Sequence, residues 1–135
     1  MNYLISISIA LDDGDRVYRP GETLAGRYSI DCFDLHRIRA VEASVLWRTE
    51  GKGDEDMAVH DFWRRDLDEE LQFDLRQPVP FSTTLPNSPL SYEGRIVKLL
   101  WSVRVRVISH RGKDVVKDRA FKLGDVDAIG GGSPD

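Results

Sequence analysis

Apolar residues in this chain recur at every second position, and this spacing constrains the fold more than any other feature. A β-strand places successive side chains on opposite sides of a sheet, whereas an α-helix needs apolar residues every three to four positions. Segments 3–10, 24–32 and 41–48 show the alternation. The longest apolar set is Val97, Leu99, Trp101, Val103, Val105 and Val107. The sequence therefore predicts half-buried β-strands and no long helix.

Turn-forming residues separate these segments. Gly, Pro and Asp residues at 12–15, 19–22, 51–54 and 111–114 supply the backbone angles that tight turns need. The stretch from Pro78 to Pro89 contains four prolines, which predicts an edge strand or a crossing loop. We therefore expect an all-β, immunoglobulin-like antiparallel β-sandwich of about seven to nine strands over residues 1–124. Residues 125–135, which end in Gly-Gly-Gly-Ser-Pro-Asp, are expected to form a flexible tail.

Composition narrows the class of protein. The 135 residues suit one domain, and 41% hydrophobic residues can supply one core. The net charge of −4 argues against nucleic acid as a partner, since nucleic-acid binders are usually basic. The lone cysteine, Cys32, cannot form an internal disulfide, so a cytoplasmic location is expected. No apolar run approaches the ~20 residues of a membrane span, so no integral membrane segment is expected.

Two motifs, taken together in order and spacing, resemble the arrestin superfamily. Val17–Gly26 reads Val-Tyr-Arg-Pro-Gly-Glu-Thr-Leu-Ala-Gly, similar to that family's entry into its second strand. Phe81–Pro86, followed by Pro89-Leu90-Ser91 and the long strand through Trp101, is similar to its crossing segment. The resemblance covers about residues 3–123. It implies an arrestin-type sandwich that acts as a non-enzymatic interaction module, as in arrestins, the arrestin-like retromer subunit and bacterial sporulation-control proteins.

The sequence differs from arrestins in the number of sandwiches. Arrestins carry two such sandwiches in tandem, and this sequence holds one. The resemblance therefore implies a protein partner, which could be a second copy of the chain in a homodimer or a separately encoded second arrestin-like domain. Receptor and phosphate recognition by the tandem proteins does not carry over.

Catalytic and metal-binding patterns are weak. His60 and Asp61 are the one arguable acid–base pair and would suit a hydrolase, but adjacent strand residues face opposite sides of a sheet. The acidic groups at 12–15 and 54–56 read as solvated turns, because a calcium loop starting at Asp12 would need Glu where Thr23 stands. We therefore expect a protein that is not an enzyme and holds no cofactor.

Recognition by protein contact is the favoured hypothesis, through a sheet edge and an exposed sheet face. The outward parity of the strands carries apolar residues beside arginines, with Leu4 on the first strand. Segment 57–66 adds two aromatics that cannot both be buried in a regular strand, so either a bulge re-aims one or one is exposed. The charged last strand, 114–123, is expected to be an edge. The predicted contact residues are Leu46, Arg48, Phe62, Trp63, Leu100, Arg104, Arg106 and Ile108.

A second hypothesis is a binding site for a carbohydrate or another small ligand. It would need an exposed aromatic platform flanked by polar groups. The candidate residues are Phe62, Trp63 and Tyr92.

Overall fold

The structure is a computed structural model and describes residues 5–67 and 75–124. Nine strands account for most of this part of the chain, and the one helical segment within it is a short 3-10 turn at Leu35–Arg37. The strands are β1 (Ile5–Leu11), β2 (Val17–Tyr18), β3 (Thr23–Cys32), β4 (Ile38–Gly51), β5 (Met57–Asp66), β6 (Val79–Thr84), β7 (Tyr92–Glu93), β8 (Val97–Ser109) and β9 (Val115–Leu123).

The strands form two sheets. The small sheet has the order β1-β3-β6, and the large sheet has the order β2-β9-β8-β4-β5, with β7 also paired to β8. All pairings are antiparallel except the two-residue pairing of β2 with β9. The two sheets pack face to face, as β-sandwiches do.

The alternating apolar residues that the sequence predicts to be buried lie between the two sheets. In β3, side chains alternate without a break between buried and less buried positions from Leu24 to Cys32. Across from it, Val41, Val45, Val103, Val105 and Val107 are fully buried, and Trp101 is 1% exposed. We call this side of the large sheet the inner face and its opposite side the outer face.

The two arrestin-like motifs lie against each other. Gly21 adopts a φ of +84°, which glycine tolerates at no steric cost. Its N–H donates to the carbonyl of Leu85, and the Leu85 N–H donates to the carbonyl of Glu22. The Glu22 carboxylate closes the turn by accepting the Arg19 N–H at 2.8 Å. The Pro-Gly-Glu turn and the Leu-Pro segment are thus two sides of one β3–β6 junction.

The all-β sandwich predicted from the alternation is confirmed. The proline-rich stretch supplies β6, which lies at an edge of the small sheet as predicted. Gly112, at a φ of +89°, lies in the turn that joins the antiparallel strands β8 and β9, within the turn segment predicted at 111–114. The proposed tail, 125–135, and Leu4 lie outside the described residues.

Candidate functional site

A bulge in β5 decides which side chains of this strand face outward. Val45 pairs with Asp61 while the next residue of β4, Leu46, pairs with Val59, so His60 is an extra residue in β5. The insertion reverses the side-chain parity at this point. Met57 and Val59 before the bulge therefore lie on the same face as Phe62 after it. Both possibilities raised by the sequence hold, because a bulge is present and Phe62 is half exposed.

The bulge creates an exposed apolar row along one strand. Met57, Val59 and Phe62 are 56%, 50% and 50% exposed, respectively, and all three lie on the outer face. We call these three residues the β5 apolar row. Sequence reasoning missed Met57 and Val59 as contact residues because their parity matched that of Trp63. The sequence did contain a signal, because the apolar alternation of Met57 and Val59 before His60 has the opposite parity to Phe62 after it.

Trp63 belongs to the other side of β5. Its ring packs against Phe81 of β6, with ring centroids 5.8 Å apart, and it contacts the core. The two adjacent aromatics are therefore separated by the sheet. The expectation that Trp63 shares a contact surface with Phe62 is wrong for this geometric reason.

The remaining predicted contact residues do share the outer face. Cross-strand pairs place Ser44 of β4 between Phe62 and Arg104, and Arg48 between Met57 and Leu100. Arg106 and Ile108 follow along β8 with the same parity.

Leu46 also lies on the outer face, but it is only 1% exposed and is not part of the core cluster between the sheets. The prediction that it is an exposed contact residue is therefore wrong. It lies between Val59 and Ser102 on neighbouring strands, and Ser102 is itself 6% exposed. Long side chains on the central strands of a sheet can cover a residue in this way.

The outer-face arginines are held in ion pairs within the chain. Arg104 makes a two-pronged contact with Asp118, with Nε–Oδ1 at 2.8 Å and Nη2–Oδ2 at 3.1 Å. Arg48 contacts Glu50 at 2.6 Å, and Arg106 lies 3.7 Å from Asp114. The hydrogen bonds that Arg104 donates to Asp118 raise the pKa of Arg104 above its ordinary value.

Arg64, on β5 itself, is part of the same arrangement. It donates to Glu42 at 2.6 Å and to Asp66 at 3.0 Å, and these hydrogen bonds raise its pKa. A partner that used these arginines would have to displace carboxylates that already neutralise them. The β5 apolar row is therefore the part of the outer face that a partner could contact without displacing a carboxylate from an arginine.

Among residues 5–67 and 75–124, no strand pairs with β5 on the side away from β4. Along β5, residues whose backbone groups hydrogen-bond to β4 alternate with residues whose backbone groups point away from β4. Asp56 and Leu67 bond to β4 through Thr49 and Arg39, which fixes the phase at both ends of the strand. The backbone groups that point to the open edge belong to Met57, Val59, Phe62, Arg64 and Asp66.

One of these groups is capped by a side chain. The Phe62 N–H donates to Oδ1 of Asp61 at 2.9 Å. This bond is consistent with a Phe62 N–H that points away from β4. It also assigns Asp61 a role at the edge of the sheet, since a charged cap discourages unselective strand pairing.

His60 has a separate contact. Its Nε2 lies 2.7 Å from the carbonyl oxygen of Thr84, and its ring meets Trp101 edge-on with centroids 6.1 Å apart. His60 thus contacts β6 while the Asp61 carboxylate accepts its neighbour's N–H. The structure gives these two residues structural contacts in place of the acid–base pairing that the sequence made arguable.

Tyr92 lies in a different part of the molecule from Phe62. It pairs with Leu99 on the side of β8 opposite β4, whereas Phe62 is on the far side of β4. Tyr92 lines a cleft of about 590 Å³ where β8 and β9 separate. The three aromatics of the small-ligand hypothesis are therefore not brought together. Other residues that line the cleft are Val17, Leu99, Leu100, Trp101 and Phe121.

The fold and the junction of the two motifs define an arrestin-like β-sandwich. A solved structure with a similar fold is that of Spo0M, a sporulation control protein from Bacillus subtilis. The TM-score is 0.62 at 15% sequence identity, over 90% of this chain and 50% of that protein. The chain thus spans about half the length of that protein, and at this identity the likeness concerns the fold alone.

The other comparisons give no closer assignment. No protein-family model matches the sequence, and no curated protein matches it. Within residues 5–67 and 75–124, no helix is long and apolar enough to cross a membrane.

Proposed function

We propose that this chain is a non-catalytic protein-interaction module of the cytoplasm, an adaptor or scaffold that binds its partner through β5. The observation that carries the proposal is that one strand offers both elements of recognition. Its backbone has hydrogen-bonding groups directed to the open edge, and the same residues carry the β5 apolar row. A partner strand added at this edge would gain main-chain hydrogen bonds and side-chain contacts together.

The ion pairs on the outer face refine the kind of contact. Because Arg48, Arg104 and Arg106 already contact carboxylates, the proposed contact is centred on the apolar row and not on the arginines. A compact apolar centre surrounded by paired charges is the usual arrangement of a protein interface. Leu100 and Ile108 would lie at its periphery, on β8.

A photo-crosslinking experiment tests this proposal. A photo-reactive benzophenone amino acid placed at position 62 should capture a protein in the native lysate. The matched control carries the same group at Phe33, which is 86% exposed and lies at the end of β3. Crosslinking at both positions alike, or at neither, would contradict a contact surface at β5.

The cleft beside Tyr92 supports a second candidate, the binding of a small apolar or carbohydrate ligand. Tyr92 is 58% exposed and shares the cleft with Trp101, whose indole N–H donates to the carbonyl of Pro89 at 2.7 Å. A bound ligand would alter Trp101 fluorescence. A fluorescence screen in which Tyr92→Ala abolishes the change would favour this function, and a screen without any change would exclude it for the compounds tried.

A further inference from the structure

We infer that the partner of the β5 edge is a second copy of this chain. This inference rests on the function proposed above and specifies the partner. Two identical strands related by a two-fold axis must run antiparallel, so each residue of one meets a fixed residue of the other. The bulge at His60 limits which registers bring outward-pointing backbone groups together, because it shifts their spacing from two residues to three.

In one register, the outward-pointing backbone groups of β5 meet those of the second copy on both sides of the bulge. When Val59 of one copy lies opposite Phe62 of the other, Met57 lies opposite Arg64. By symmetry, four residues with outward backbone groups on each strand then meet four on its partner. The two bulges coincide at the axis. Moving the register by two residues, so that Val59 meets Arg64, leaves Phe62 opposite Asp61, whose backbone groups point to β4.

The side chains in this register are complementary. Val59 and Phe62, which are each 50% exposed in the single chain, meet twice. Asp56 lies opposite Arg65, and both fall on the inner side of β5 by alternation. His60 lies opposite Asp61, which would release the Phe62 N–H to a carbonyl of the second strand. Opposite charges thus meet at both ends of the apolar centre.

We propose that two copies of this chain pair through β5 in this register, which joins their large sheets into one continuous sheet. The pairing would cover the β5 apolar row on both copies.

The first test is the absolute mass in solution over a range of protein concentrations. We expect a reversible dimer in the wild-type chain. Asp56→Arg places two arginines opposite each other at both ends and should raise the dissociation constant by about tenfold. The double variant Asp56→Arg with Arg65→Asp restores the charge pair and should return the constant to near its original value. Asp54→Arg makes the same change in charge outside the pair and serves as the control.

The second test reports the register and does not depend on that charge pair. Chains carrying Val59→Cys are mixed with differently tagged chains carrying Phe62→Cys, under mild oxidation. We expect a disulfide between the two kinds of chain, and much less when Phe62→Cys is replaced by Arg64→Cys. Equal yields, or a single-chain mass at every concentration, would overturn the inference. A single-chain mass combined with position-62 crosslinks to another protein would overturn the self-pairing while leaving the proposed function intact.

Discussion

The two faces of the large sheet are built in different ways. The inner face is closed by apolar packing, with Val41, Val45, Val103 and Val105 fully buried against the small sheet. On the outer face, cross-strand ion pairs such as Arg104 with Asp118 cover the centre of the sheet. Apolar side chains are left half exposed there mainly along one strand, β5.

This difference shows where a contact surface should be sought. Packing on the inner face is a requirement of the fold, since burial of apolar surface is the main stabilising contribution to folding. The ion pairs of the outer face neutralise one another and contribute little to stability. The β5 apolar row meets neither description, and it lies on a strand that has only β4 beside it in the part of the chain that the structure describes.

The largest expected effect concerns Leu46, the buried residue of the outer face. Leu46→Ala should lower the free energy of unfolding by about 3 kcal/mol, because it leaves a cavity under the surrounding side chains. Urea denaturation measures this value. A loss below about 1 kcal/mol would mean that the outer face does not pack around Leu46, and the comparison between the faces would have to be redrawn.

Adjacent residues of β5 provide the next test. Trp63→Ala should lower the free energy of unfolding by about 2 kcal/mol, because its ring packs against Phe81. Phe62→Ala should change it by less than about 0.5 kcal/mol in the monomer, because the ring is half exposed. Thermal unfolding of dilute protein compares the two variants. Equal losses would show that both rings are packed and that the bulge does not separate them.

The Arg104–Asp118 pair tests the ion pairs of the outer face. A double-mutant cycle with Arg104→Ala and Asp118→Ala should give a coupling of about 0.5–1 kcal/mol, as expected for a partly exposed two-pronged pair. The coupling should shrink in concentrated salt. A coupling above about 3 kcal/mol would be typical of a buried pair and would contradict the exposure of this face.

The smallest expected effect on stability comes from Glu22, an exposed carboxylate at the junction of the two motifs. The Arg19 N–H and the Arg16 guanidinium hold the pKa of Glu22 below its ordinary value of 4.5. Its contribution to stability is therefore present above pH 4.5 and is lost as the pH falls through the lowered pKa. Glu22→Gln should flatten this part of the pH–stability curve. An unchanged curve would show that the carboxylate does not stabilise the turn.

The sequence was sufficient to predict the inner face. Alternation alone identified the buried parity of β3 and β8, because a side chain between two sheets has one apolar environment along the whole strand. Turn residues such as Gly112 placed the strand boundaries. The motif resemblance suggested the arrestin-like type of sandwich, and the contact of Gly21 and Glu22 with Leu85 explains why the two motifs occur together.

The outer face was predicted less well, because its properties depend on cross-strand neighbours. The parity of Leu46 was correct, but its burial depends on residues of β5 and β8 that are distant in sequence. The arginines were placed on the correct face, yet their carboxylate partners come mostly from other strands or from a loop. The bulge at His60 was one of two explanations, and only the pairing with β4 could locate it.

The most direct test of the central claim is amide hydrogen exchange along β5, measured by NMR at low and high protein concentrations. The β5 edge should show fast exchange at Val59 and Arg64 in dilute protein, beside slow exchange at Ala58 and Trp63. At high concentration, or with a bound partner, Val59 and Arg64 should become protected while β9 stays unchanged. Protection of Val59 and Arg64 in the dilute monomer, or protection that first develops along β9, would contradict an open interaction edge at β5.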